Sequence, residues 1–138
     1  MATVIPIYVD GEIFAWIGAS GHQLDTGGTD PGGFSIKAVN VHQEGLRMPP
    51  VKLVEKGRPR EDVLRWILNQ VRDPLVGLDI RGQLAALNVG RRRLLELIDR
   101  WGAHTLRAVM KRSIREAREK LKRRLRQLPD GAWRDIQY

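Results

Sequence analysis

His22 and Asp25 stand three residues apart in a glycine-rich stretch, and imidazole and carboxylate are side chains that bind Zn or Mn. A loop of that composition lets the backbone turn both toward one point. The same pair has a plainer reading, in which Asp25 caps the turn at Thr26-Gly27 and His22 is a polar loop residue. Further on, Gln43-Glu44-Gly45-Leu46-Arg47 gathers polar groups ahead of Pro49-Pro50. There Glu44 has the chemistry of a general base and Arg47 that of an anion binder, unless the two simply pair with each other. Gly27-Gly28 and Gly32-Gly33 match neither a Walker loop nor a dinucleotide fingerprint and read as turn chemistry. Cysteine is absent, which excludes disulfides and thiolate metal sites, and only three histidines exist.

The elements that must position these residues follow from pattern. Thr3–Val9 is β-branched and apolar, Asp10-Gly11 is a tight-turn signal, and Ile13–Gly18 returns, so a hairpin is expected. Two strands alone are marginal in water, which asks for sheet partners. The loop Gly21–Gly33 follows, then a short strand at Val51–Val54 with a turn at Glu55-Lys56-Gly57. From residue 60 onward the period is helical. One run begins at Asp62 and is broken by Asp73-Pro74. A second runs from about Asp79 to Arg100 and stops at Gly102. A third covers His104–Gln127, with Val109, Met110, Ile114, Ala117, Leu121, Leu125 and Leu128 as its apolar stripe. Asn88-Val89-Gly90 within the second run marks close packing or a helix break. Trp133–Tyr138 reads as the start of another strand. The fold class is α+β: a β/loop segment over 1–58 with the candidate metal-site loop, a three-helix region over 59–129, and the start of a truncated strand over 130–138. An orphan hairpin at one end and a half strand at the other are the pattern of a fragment of a larger subunit.

The net charge is +8, unevenly spread. Lys37 and Arg47 against Asp10, Glu12, Asp25, Asp30 and Glu44 leave residues 1–50 at −3, so the remainder carries +11. A basic helical module for nucleic acid is one reading of that asymmetry. No aromatic residue interrupts the basic stretch to stack bases, and Glu116 and Glu119 sit at helix-pair spacing, as on a solvated face. Docking on an acidic partner without any chemistry is a further reading. No export signal or membrane-length apolar run is present, so a cytoplasmic protein without membrane contact is the default.

Several runs carry a family resemblance: Asp10-Gly11 after a strand, His22-Gln23-Leu24-Asp25-Thr26-Gly27-Gly28, Pro31-Gly32-Gly33, and Gln43-Glu44-Gly45-Leu46-Arg47-Met48-Pro49-Pro50-Val51-Lys52-Leu53. Glu61-Asp62-Val63-Leu64, Asn69-Gln70-Val71-Arg72, Arg92-Arg93-Leu94-Leu95-Glu96-Leu97 and Leu128-Pro129-Asp130-Gly131 continue it. In this order the chain resembles an internal segment of the hydantoinase B/oxoprolinase family, which includes N-methylhydantoinases, 5-oxoprolinases, and acetone and acetophenone carboxylases.

The resemblance implies part of an ATP-dependent hydrolase of cyclic amides, or of a related ketone carboxylase, incomplete and inactive alone. It implies a hetero-oligomer with an ATP-binding hydantoinase A-type subunit, where ATP activates a small amide or ketone substrate. It also implies a divalent metal, Mn or Zn, held by a His-x-x-Asp motif and a later histidine. His22 falls on that later histidine, and the other two ligands would lie ahead of Met1. Asp25 is then a ligand or a group that orients His22. Asp25 and Glu44 shape or polarise the site, and Arg47 meets a carboxylate or phosphate. Family members often carry paired histidines where this chain has His22-Gln23, so Gln23 removes one ligand or proton shuttle.

Overall fold

The computed structural model describes residues 1–136. Two small antiparallel pairs and three helices make a mixed α+β fold. The strands are β1 (Ala2–Val9), β2 (Glu12–Ser20), β3 (Val54–Glu55) and β4 (Arg58–Pro59). The helices are α1 (Glu61–Leu68), α2 (Val76–Trp101) and α3 (Ala103–Leu125). Contacts divide the chain into two compact units, Met1–Arg93 and a second from Leu94 onward.

In the first unit, β1 and β2 form the expected hairpin. Asp10 and Gly11 both take positive φ, 52° and 81°, as a two-residue turn matched to strand twist requires. The register slips between Ile7 and Tyr8. One face of the hairpin carries Thr3, Ile7 and Ile17. Thr3 Oγ1 donates to Gln83 Oε1 on α2 at 2.9 Å.

Val54–Glu55 and Arg58–Pro59 pair across Lys56-Gly57, again with both turn residues at positive φ. The turn expected from the sequence is therefore present, but the strand before it starts at Val54. Leu53 is instead a core residue, clustered with Leu64 and Ile67 of α1 and Val76 and Ile80 of α2. This shared core explains why α1 and most of α2 belong to the same unit as the loops. It also explains the early start of α2, at Val76 rather than Asp79. Val76 and Ile80 are buried one turn apart, and Asp73 Oδ1 accepts the Leu75 N–H at 2.8 Å ahead of the helix.

α2 passes through Gly90 without a break. A Cβ placed there would meet Ile17 methyls of β2 at 3.5 and 3.7 Å, ordinary van der Waals contact. At Gly82 it would meet nothing within 4 Å. Both Gly82→Ala and Gly90→Ala should therefore raise the unfolding free energy of the chain by about 0.5–1 kcal/mol, since each removes a helix-interior glycine. Urea denaturation reads this. A loss at Gly90 with a gain at Gly82 would mean that β2 needs closer approach than these distances.

In the second unit, Gly102 at φ 81° separates α2 from α3. The apolar stripe of α3 exists in sequence but buries nothing. No residue of α3 is buried, and Val109, Met110, Ile114, Leu121 and Leu125 are exposed. Its charges pair along the helix, Arg112 with Glu116 at 2.6 Å and Lys122 with Glu119 at 3.4 Å. Trp133–Ile136 carry no strand assignment; the remainder of the strand expected there lies outside the described residues.

Candidate functional site

The loop after β2 is held by backbone contacts, not by regular structure. Thr26 N–H donates to Gly32 O at 3.2 Å, Leu46 N–H to Thr26 O at 2.6 Å, and Thr29 N–H to Gln43 O at 3.0 Å. The strand of loop carrying Asp25 to Thr29 is thus laid against both residues 32 and 43–46. Glycine permits the approach. A Cβ on Gly27 would lie 2.0 Å from the carbonyl oxygen of Gln70, and one on Gly28 would lie 2.1 Å from Ser35 Oγ and 2.9 Å from Gln43 O. The paired glycines are turn and packing chemistry, and the space beside them is filled by protein.

Asp25 is the anchor of this loop. It is 4% exposed. Its Oδ1 accepts from Gly27 N–H at 3.1 Å, closing a local Asx turn, and from Arg72 Nη1 at 3.0 Å. Its Oδ2 accepts the backbone N–H of Arg72. The other guanidinium nitrogen of Arg72 donates to the Gly28 carbonyl. Arg72 stands just after α1, so one side chain ties the glycine loop to the α1–α2 connection from both sides of its turn. Burial pushes the Asp25 carboxyl up. The two backbone N–H groups and the Arg72 guanidinium outweigh it and hold the carboxyl below its ordinary value.

The neighbours alternate around this anchor. His22 is exposed, with its ring 6.0 Å from that of Phe34. Gln23 points the opposite way and is 8% exposed. Its Nε2 donates to Gly21 O at 3.4 Å, while its Oε1 is buried without a partner among the described residues.

Residues 40–47 form a second local structure. Asn40 Oδ1 caps a 3-10 turn at Val41–Gln43 by accepting from His42 N–H at 3.0 Å. Arg47 Nη1 lies 2.9 Å from His42 Nδ1. Arginine can only donate, so His42 accepts there and carries its proton on Nε2. Glu44 is exposed on the same turn. The structure therefore brings Arg47 to His42 and commits Asp25 to Arg72. Arg72 had no signal as a partner of Asp25 in the sequence.

Among the described residues no three His, Asp or Glu side chains come together as a metal-binding group. Both oxygens of Asp25 already accept hydrogen bonds. His22, exposed on the same loop, has a ring nitrogen chemistry suited to a metal and is not tied up in this way. Gln23 is one of the residues lining a mostly apolar groove of about 860 Å³, together with Met1–Pro6, Leu46, Met48–Val54, Ile67, Val71 and Leu84.

The chain matches the hydantoinase B/oxoprolinase family over residues 1–138. It is 38% identical over 127 residues to caprolactamase subunit beta of Pseudomonas jessenii, covering 91% of this chain and 22% of that one. It is 28% identical over 136 residues to the acetophenone carboxylase delta subunit of Aromatoleum aromaticum, covering 97% and 20%. It resembles the crystal structure of ATP-dependent caprolactamase from Pseudomonas jessenii with a TM-score of 0.84 at 37% identity, over 94% of this chain and 23% of that one. The chain thus spans about a fifth of the length of these relatives.

Proposed function

Since the chain belongs to the hydantoinase B/oxoprolinase family, we propose that it is part of a subunit of an ATP-dependent cyclic-amide hydrolase. The observation that carries this reading is the joint likeness, in sequence and in backbone, to one such enzyme, caprolactamase. The substrate class is a small lactam, hydantoin or 5-oxoproline. ATP is used on a hydantoinase A-type partner, and the reaction adds water across the amide C–N bond. Relatives described as beta and delta subunits support assembly with other chains.

In this reading His22 supplies one donor to a divalent metal, Mn or Zn, whose remaining ligands come from outside these 138 residues. Asp25 acts on the site by holding the His22 loop in place through Arg72. Glu44 and Arg47 line the approach, where Arg47 meets a carboxylate or phosphate. The metal, when bound, would polarise the amide carbonyl or the attacking water. A subunit restored to family length and paired with its ATP-binding partner should open caprolactam, hydantoin or 5-oxoproline only with ATP. Metal analysis of His22→Ala in that assembly should show most of the bound metal gone. Full metal content would remove His22 from the site.

The carboxylase reading has its own support, 28% identity to acetophenone carboxylase delta over nearly the whole chain. Turnover of a ketone that requires bicarbonate, with no ring opening of any cyclic amide, would establish it in place of hydrolysis.

A further inference from the structure

Among the described residues the outer edge of β1 has no strand paired to it, and its polarity can be worked out residue by residue. Met1 and Gly21 exchange both backbone bonds, at 3.2 and 3.4 Å. In an antiparallel pair hydrogen-bonded and non-bonded positions alternate. Thr3 opposite Ala19 and Ile5 opposite Ile17 are therefore bonded to β2, whereas Ala2, Val4 and Pro6 turn their peptide groups away from it. Pro6 agrees with this parity: proline has no N–H to donate and is tolerated at an outward position. The outward edge thus offers N–H and C=O at Ala2 and Val4 and C=O at Pro6.

Both faces of the hairpin are apolar. One packs on α2 through Thr3 and Ile17. The other exposes Val4 at 59% and Trp16 at 61%. Strands apolar on both faces belong to sheets covered on both sides. The groove follows this edge along six consecutive residues, Met1–Pro6. That run is about 20 Å of extended chain, the length of an ordinary strand. Gln23 and Trp16 also line it, together with Leu46 and Met48–Val54.

We propose that this edge and groove dock one extended apolar polypeptide strand, supplied by the part of a hydantoinase B-type subunit outside the matched fifth. The inference rests on reading the chain as part of such a subunit. The strand pairs with the outward groups of Ala2, Val4 and Pro6 and buries alternate side chains in the groove. The two-residue repeat of free peptide groups matches an extended backbone, which a compact small molecule does not offer.

The probe is a set of overlapping peptides of about twelve residues, enough for one strand with flanks, from the unmatched part of Pseudomonas jessenii caprolactamase subunit beta. Titration into the chain is followed by amide hydrogen exchange. One contiguous run of peptides should bind and slow exchange at Ala2 and Val4, leaving Thr3 and Ile5 as they were. Val4→Pro removes an outward donor without touching the bonds to β2, so it should weaken binding about tenfold while the rest of the amide spectrum persists. The proposal is overturned if no peptide binds, or if binding leaves Ala2 and Val4 exchanging freely. Protection of Ala2 and Val4 that grows with chain concentration alone would overturn it in favour of a second copy. ATP-dependent ring opening by the restored subunit is scored separately, so failure here leaves the proposed reaction standing.

Discussion

Alanine at Gly27 should unfold the loop-bearing unit, and alanine at Gly11, which has nearly the same backbone angle, should not. Gly27 sits at φ 79° and Gly11 at φ 81°. A side chain in that region costs about 1–2 kcal/mol from local sterics. At Gly11 this is the whole penalty, because nothing lies within 4 Å of the added Cβ. At Gly27 the Cβ would lie 2.0 Å from Gln70 O and 3.1 Å from Gln70 C. Those are backbone atoms just past α1, where Asn69 N–H still donates to Arg65 O at 2.9 Å, so they cannot swing aside like a side-chain tip. The loop must lift off, and the Asp25–Arg72 connection goes with it. The expected loss is on the order of 4 kcal/mol or more, the range reserved for a named structural clash. Chemical denaturation of the two variants side by side measures the difference. Equal losses would show that backbone angle alone accounts for Gly27.

The contrast between these two glycines also marks what the sequence can reveal. Asp10-Gly11 between β-branched runs is a local signal with a local cause, and the hairpin follows from it. The turn at Lys56-Gly57 and the helical period after Asp62 are local in the same sense. Gly27 looks like another turn glycine in the sequence, because Gln70 lies far along the chain and one sequence does not pair distant positions. Asp25 and Arg72 are 47 residues apart and were invisible as partners for the same reason. Leu53 was read as part of a strand, whereas its burial is decided by α1 and α2 meeting over it.

α3 fails in the opposite sense. Its stripe of Val109, Met110, Ile114, Leu121 and Leu125 is periodic, yet the residues are exposed. Amphipathic period reports that a helix can bury one face and not that anything lies against it. His22 and Asp25 are the two metal-type side chains that the sequence offers in this loop, and the structure leaves His22 exposed and buries Asp25. The separation of roles between His22, Gln23 and Asp25, outward, inward and anchored, comes from loop geometry that no spacing rule encodes.

Replacing Asp25 by asparagine should destabilise the chain by about 3 kcal/mol at neutral pH and remove part of its acid sensitivity. The carboxylate accepts from three donors, two of them backbone N–H groups that have no other partner in the loop. Asparagine keeps one acceptor oxygen and turns an NH2 group toward donors, so at least one N–H is left facing another. The sign of the pH effect follows from the direction of the shift. A carboxyl held below its unfolded value contributes stability that is full above the unfolded value and is lost as pH falls through the folded one. The wild-type chain should therefore lose stability between about pH 5 and the lower folded value, and the Asp25→Asn chain should lose less over the same window. Urea midpoints from pH 7 down to about 3 measure both curves, which should converge as pH falls. Arg72→Met gives the complementary test. It removes a half-exposed guanidinium and leaves Asp25 with its two backbone donors. Its loss should be smaller than that of Asp25→Asn, and the double variant should be less unstable than the two single losses added together. Curves for wild type and Asp25→Asn that run parallel to low pH would mean that Asp25 is not held as a carboxylate. The His22 loop would then owe its position to the glycine contacts alone.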